Sequence, residues 1–274
     1  MSENSASPPP PHRVRHDIRV RRAVVRDILR VTPHRLRITF AGPDLVGFVS
    51  PGYDDHIKLI IPDAETGVLH LPSVGPNGIV WPEGMAKPTM RDYTPRAFDS
   101  AAGTLTIGFS LHDAGPVTAW ADRAAPGDEV GIAGPRGSFI VSAEYDWHLF
   151  IGDDTTLPAV SRRLEELPAH VRAIVLLEVE EHADEVPLRS PAKLEVHWHH
   201  RTGDGQINSE NLYTTLTTLP WPEGQGFVWI GGESGMVRQS RTHVVRDRAH
   251  DPKLVRASGY WRRGTSNVHD TIED

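Results

Sequence analysis

The sequence predicts two successive domains: a small antiparallel β-barrel, then an α/β domain built on a parallel sheet. Three observations carry that prediction. The chain has 274 residues, enough for about two cores. From Asp17 to about Tyr145, short apolar or alternating segments are separated by Gly/Pro turns, as in a compact barrel. From Trp147 the rhythm changes to strand, helix, strand, which argues for a parallel sheet covered by helices. The expected boundaries are 1–16 for a disordered proline-rich tail, 17–145 for the barrel, 146–264 for the α/β domain and 265–274 for a polar tail.

Composition sets limits. Hydrophobic residues make up 38% and charged residues 24%, which fits a soluble globular protein. Net charge is −7 and the arginines are dispersed, which argues against nucleic acid as a partner. The absence of cysteine removes disulfides, thiol nucleophiles and thiolate-held iron–sulfur clusters. No apolar run approaches a membrane span. The segment Met1–His12 has no apolar core for a signal peptide.

Within the barrel, Val20–Leu29 and Leu36–Phe40 read as strands joined through Thr32-Pro33-His34, and Ile57–Ile61 as a third stopped by Pro62. Gly67–Leu71 reads as the far side of a short hairpin. Thr104–Leu111 alternates and is expected to be half-buried. Glu129–Ala133 and Ser138–Val141 complete the set, and the turns Pro126-Gly127-Asp128 and Gly134-Pro135-Arg136-Gly137 precede them.

The barrel's chemistry is expected in the strand Arg91–Thr94, within Met90–Asp99. Strand alternation puts Arg91 and Tyr93 on one face and Thr94 on the other, before Pro95 turns the chain. Guanidinium, phenol ring and hydroxyl suit a pyrophosphate, a flat ring system and a ring nitrogen, the parts of a flavin nucleotide. After Thr104–Leu111 comes His112-Asp113-Ala114-Gly115-Pro116, where Gly115 and Pro116 open a short helix through Ala121. A helix start beside a glycine can receive an anion.

In the second domain His148–Ile151 is a strand, Gly152–Thr156 a turn, and Leu157–Leu167 a helix capped by Thr155 or Thr156. Leu157, Val160, Leu164 and Leu167 share one face of it. Ala173–Val179, Leu194–Trp198, Phe227–Ile230 and Val255–Trp261 are strands. Asn208–Leu219 and a segment from Gly231-Gly232-Glu233-Ser234-Gly235 to about Ala249 are expected to hold helices. Gly152 and Gly231 fall at carboxyl ends of strands, where open α/β sheets bind ligands, but Asp153 and Asp154 replace the usual glycine fingerprint.

Together these landmarks resemble the siderophore-interacting protein family, cytoplasmic flavin reductases of ferric siderophores within the ferredoxin–NADP reductase-like superfamily. The resemblance runs from about Asp17 to Gly264. It rests on Asp54-Asp55-His56-Ile57-Lys58-Leu59, Arg91-Asp92-Tyr93-Thr94-Pro95, Gly115-Pro116 with Trp120-Ala121, and Gly134–Phe139. Gly152–Ala159 with Arg162–Glu165, Trp198-x-His200-Arg201 and Gly259–Gly264 complete it. It implies an FAD-binding barrel and an NAD(P)H-binding α/β domain. It also implies passage of electrons from NADH or NADPH through FAD to Fe(III) in a siderophore, releasing Fe(II).

In that family reading Arg91 meets the flavin phosphates, Tyr93 the ring and Thr94 its edge, with Pro95 and His112 beside them. Gly115, Pro116 and Thr118 line the pyrophosphate turn. Gly152, Asp153, Asp154, Thr155 and Thr156 meet the nicotinamide nucleotide, bordered by Glu233. Tyr260 and Trp261 lie near the flavin, and Arg262 or Arg263 faces the substrate. No side chain is assigned as a catalytic acid or base, and no protein metal ligand is assigned. The protein is expected to act as a cytoplasmic monomer. The chain departs from the family at Asp154, where Glu is frequent, at Gly231-Gly232-Glu233-Ser234, where Ala-Gly-Glu-Ala is frequent, and in its scarcity of lysine near the end.

Three features stay open. His197 and His199 share a strand face, but no third ligand has suitable spacing, so a solvated strand end is the better reading. Glu178, Glu180 and Glu181 favour ribose hydroxyls and NADH, whereas Arg201 could answer a 2′-phosphate. The alternatives are an NAD(P)H–flavin oxidoreductase with another acceptor, and a non-catalytic flavin- or siderophore-binding protein.

Overall fold

A computed structural model describes residues 7–76, 78–81, 84, 88–111, 115–201, 209–264 and 270–271. The chain divides into two units, Arg13–Ile140 and Val141–Asp274 with Met1–His12.

The first unit carries β1 (His12–Arg15), β2 (Val20–Thr32), β3 (Arg35–Ala41), β4 (Ile57–Ile60), β5 (Ser73–Gly75), β6 (Gly78–Val80), β7 (Met90–Tyr93), β8 (Pro95–Asp99) and β9 (Thr104–Ser110). Helix α1 (Pro116–Arg123), β10 (Glu129–Ala133) and β11 (Gly137–Ile140) follow. Seven strands form one antiparallel sheet in the order β7-β4-β10-β2-β3-β9-β8. Its core follows from strand alternation. Leu36, Ile38 and Phe40 of β3 stand opposite Phe109, Ile107 and Leu105 of β9, and all six are buried. On the other face Thr39 and Thr106 share a hydrogen bond of 3.0 Å.

The two edge strands of this sheet, β7 and β8, are joined in the chain by Thr94 alone. The sheet therefore curls into a half-barrel whose open seam is spanned by one buried residue. The sequence places a strand up to Thr94; the second strand, which Pro95 opens, is not foreseen. Proline is tolerated there because β8 is an edge strand.

Several expectations are corrected. Gly67–Leu71 is not a strand: Asp63 Oδ1 accepts from the amides of Glu65 and Thr66, which bends the chain into a turn. The small hairpin lies farther on, as β5 and β6. Residues His12–Arg15, placed in the tail, pair as β1 with β11.

The second unit carries β12 (Trp147–Asp153), α2 (Leu157–Glu166), β13 (Arg172–Val179), β14 (Lys193–His200) and α3 (Ser209–Thr218). It continues with β15 (Gly226–Glu233), α4 (Ser234–Thr242), β16 (Val255–Trp261) and β17 (Asp270–Thr271). The sheet order is β14-β13-β12-β15-β16-β17, parallel except for β17. The short strand β17 lies within the polar tail expected over 265–274. Strands β12 and β13 are buried almost throughout, as a sheet covered on both faces requires. The predicted face of α2, Leu157, Val160 and Leu164 with Leu167 just beyond, is buried. The last helix stops short of Ala249. After Thr242 it widens into a single π-helical turn, His243–Asp247. Ala249 then takes a left-handed conformation (φ 52°), while the His250 amide returns to the Val244 carbonyl.

The order of strands reverses between β12 and β15. That switch point leaves a crevice at their carboxyl ends, the place where open α/β sheets hold ligands. Phe109 tests the barrel core, because it stands opposite Leu36 and carries the Tyr93 ring at 4.6 Å. Phe109→Ala is expected to cost about 3–5 kcal/mol. Hydrogen exchange should then accelerate across β3 and β9; unchanged protection in those strands would contradict this packing.

Candidate functional site

The candidate residues of the barrel unit are built on the seam. Pairing of Ile57 with Tyr93 and Leu59 with Arg91 sets β7 against β4. The Tyr93 ring packs on Phe109 at a tilt of 45°, and burial pushes its phenol above the ordinary range, against the opposing pull of Arg91. Tyr93 thus stays neutral and offers a ring rather than a charge. The Arg91 guanidinium donates to the Met90 carbonyl at 2.8 Å and meets no carboxylate among the described residues. The neighbouring Asp92 carboxylate is taken by Lys58 at 2.7 Å. Thr94 and Pro95 are buried at the corner.

The second barrel element is the start of α1. Gly115 is its N-cap and Pro116 its first helical residue, as the sequence predicts. A glycine caps without a side chain, and no acid stands in the first turn. Among the described residues no capping carboxylate takes the amides at this end. A Cβ at Gly115 would come 3.2 Å from Thr118 Oγ1, so the glycine keeps the approach to that hydroxyl open. The helix is held from below by Val117, Trp120 and Ala121, with Trp120 stacked on Phe40 at 6.5 Å. His112 lies outside the described residues.

At the carboxyl edge of the parallel sheet the predicted residues converge on Asp153. Its Oδ1 accepts from the Thr155 amide at 2.9 Å and from the Thr155 hydroxyl. Its Oδ2 accepts from the Glu233 amide at 2.9 Å and from Trp261 Nε1 at 2.8 Å. One carboxylate thereby joins the ends of β12, β15 and β16. Thr156 is the N-cap of α2, one of the two positions the sequence predicts, but its side chain makes no capping bond; Asp153 caps the 3-10 turn Asp154–Thr156 that precedes it. Thr156 instead donates to the Asp153 carbonyl at 2.5 Å. Gly232 takes φ 120° and lies against the Asp153 carboxylate; a Cβ there would overlap Oδ2. Gly152, within β12, packs equally closely on Thr156.

Glu233 caps α4 with its own side chain. Oε2 accepts from the amides of Gly235 and Met236 at 2.5 and 3.0 Å. The start of α4 is thus already filled by the chain's own carboxylate, whereas α2 begins at Thr156 with no side-chain cap. Trp261 is fixed by its bond to Asp153, and Tyr260 packs edge-on against Trp229 at 6.2 Å. Arg262 and Arg263 are exposed.

Arg201 also belongs to this edge. Its guanidinium meets Asp154 Oδ1 at 2.6 Å, Glu178 Oε1 at 3.3 Å and Glu180 Oε2 at 3.1 Å. Arg201, Asp154 and Glu178 are buried. Burial pushes the Asp153 carboxyl up, and the charge of Asp154 adds to this. Burial pushes Glu178 up to about 7; Arg201 opposes that rise and Asp153 reinforces it. The sequence singled out Arg201 and Glu178 separately. Their pairing was not legible, because it depends on β13 and β14 lying side by side in register.

The comparisons with known proteins match both halves. Residues 24–139 match the family described as the siderophore-interacting FAD-binding domain, and residues 145–264 the family described as siderophore-interacting protein. An NADPH-dependent ferric-chelate reductase of Escherichia coli is 35% identical over 92% of this chain and 96% of its own. A ferric vibriobactin reductase of Vibrio cholerae is 31% identical over 85% of this chain and 86% of its own. The crystal structure of a siderophore utilization protein from T. fusca superposes with a TM-score of 0.87 at 36% identity, covering 94% of this chain and 98% of that one.

The buried acid Glu178 yields a test. Its folded pKa lies above its ordinary 4.5, so the folded state is favoured while it is protonated. That contribution is complete below pH 4.5 and is lost as pH rises through about 7. Thermal melting of Glu178→Gln against the parent is expected to show a gain that grows across this window. A difference independent of pH would refute the assignment.

Proposed function

Because the chain belongs to the siderophore-interacting protein family, we propose that it is an FAD-dependent reductase that takes electrons from NAD(P)H and delivers them to Fe(III) held by a siderophore. The observation that carries this reading is the barrel's pair of unfilled anion partners. Arg91 lies on the seam with no carboxylate among the described residues, and the amides at the start of α1 carry no capping side chain. Both fit the phosphates of a flavin dinucleotide, and the neutral, part-buried Tyr93 fits beside a flat ring. When bound, FAD supplies the exchange between a two-electron donor and a one-electron acceptor.

The residues of this chain then have distinct tasks. Arg91 and the Gly115–Pro116 turn bind the pyrophosphate, with Thr118 beside it. Tyr93, Thr94 and Pro95 orient the ring from the rigid corner. The carboxyl edge around Gly152–Thr156 and Glu233 receives the nicotinamide nucleotide. The start of α4 is filled by Glu233, whereas α2 begins at Thr156 with no side-chain cap, so an anion has the start of α2 rather than that of α4 to approach. Arg201, gripped by three carboxylates, is a weak partner for a 2′-phosphate. Arg262 and Arg263, both exposed, face the anionic iron chelate. Each NAD(P)H reduces two Fe(III) and releases one proton, which solvent can take, so no side chain is assigned as acid or base. Hard oxygen donors hold Fe(III) more firmly than Fe(II), so reduction releases the metal. The same reading places the protein in the cytoplasm as a monomer; among the described residues no helix is long and apolar enough to cross a membrane.

The deciding experiment follows the visible spectrum of the FAD-loaded protein without oxygen. Flavin bands should bleach on adding NADPH or NADH and return when a ferric siderophore is added. Bleaching without return would select a different acceptor, and failure to take up FAD would sink the reading. Arg91→Ala is expected to weaken FAD binding roughly ten- to a hundredfold, the loss of about 1.5–3 kcal/mol in charge-assisted hydrogen bonds. Unchanged affinity by fluorescence titration would remove Arg91 from the site.

A further inference from the structure

His182, Glu185 and His200 come together at the carboxyl ends of β13 and β14. Glu185 Oε1 lies 2.9 Å from His182 Nδ1 and 2.8 Å from His200 Nε2. The three ligand atoms all lie within 4.8 Å of one another. The scaffold explains the convergence. His182–Asp184 forms a single 3-10 turn, and the Glu185 amide returns to the His182 carbonyl at 3.2 Å, which puts both side chains on one side. His200 is the last residue of β14 and pairs with Val179 of β13, the strand that leads into that turn. The two imidazoles meet edge to face at 88°, so they converge on the carboxylate instead of stacking.

The cluster is open to solvent. Side-chain exposure is 87% for His182, 39% for His200 and 24% for Glu185. A carboxylate oxygen between two imidazole nitrogens is the donor set of a borderline metal ion. We propose that His182, Glu185 and His200 form a binding site for one divalent first-row transition-metal ion, with water completing its coordination. Bonds of about 2.0–2.2 Å to such an ion bring the ligand atoms to roughly 3.0–3.4 Å from one another. The exposed ring of His182 can make that adjustment.

The histidine pair visible in the sequence, His197 and His199, is not this site. His197 bonds Glu195 of its own strand at 2.8 Å, and no third ligand joins them among the described residues. Ferrous iron belongs to the class of ion proposed. Its capture after reduction rests on the reductase reading, whereas metal binding as such does not.

The test uses the full chain, stripped with a chelator and titrated with Zn(II) by calorimetry. One Zn(II) per chain is expected. His182→Ala, Glu185→Gln and His200→Ala should each weaken it by at least roughly tenfold, the least that loss of even an outer-shell partner costs. His197→Ala should leave it unchanged. Affinity unaltered in the three variants, equal loss in His197→Ala, or no binding below millimolar Zn(II) would overturn the proposal. X-ray absorption at the zinc edge of the loaded parent protein decides without any variant. Two imidazoles with a carboxylate support the site; a shell of three or more imidazoles refutes it. Neither readout involves flavin or nicotinamide, so the outcome is independent of the reductase assignment.

Discussion

Asp153 is buried at the end of β12, where its two oxygens accept from Thr155, Glu233 and Trp261. Those donors belong to the turn before α2 and to the ends of β15 and β16, so one group sets the spacing of three strand ends. Hydrogen bonds to an ionised acceptor contribute about 1.5–3 kcal/mol each, enough to oppose the cost of burying the charge. The surroundings are built to allow this. Gly232 leaves room for the carboxylate, and Arg201 sits among the neighbouring acids as their common counter-charge. Changing Trp261 removes one of the four donors to Asp153, and changing Arg201 removes the counter-charge of Asp154 and Glu178.

The helix ends are not treated alike. In the α/β unit Glu233 closes the start of α4 and Asp153 the 3-10 turn before α2, while α2 itself begins at Thr156 with no side-chain cap. In the barrel unit α1 begins at a glycine and carries no such closure. An anion approaching α1 meets the helix dipole without a capping carboxylate; one approaching α4 meets the Glu233 charge.

How far the sequence could be read follows from which signals are local. Alternation in Thr104–Leu111 and the glycine–proline start of α1 are written in neighbouring residues, and both are observed. Arg91, Tyr93 and Thr94 were legible as a motif, but not the single-residue seam that makes them rigid, because that depends on the order of seven strands. The sequence places the cap of α2 at Thr155 or Thr156, and Thr156 is that N-cap; that the Asp153 side chain turns back to cap the preceding turn is not legible, because it depends on the folded loop. The hairpin at Gly67–Leu71 failed for a related reason: Asp63 competes for the backbone and makes a turn where apolar pattern alone suggested a strand. The meeting of His182, Glu185 and His200 was invisible because its members lie on two strands' ends and converge only in the folded sheet.

The polar character of β14 has a consequence for the chain's behaviour in company. β14 ends the order of the six-stranded sheet, and its outer edge has no strand partner among the described residues. A bare, flat edge of that kind is a template on which another molecule's strand can add. Here the edge carries Lys193, Glu195, His197, His199 and His200. Adding a strand would strip water from those groups, so the composition of β14 guards the sheet against growing from one molecule into the next.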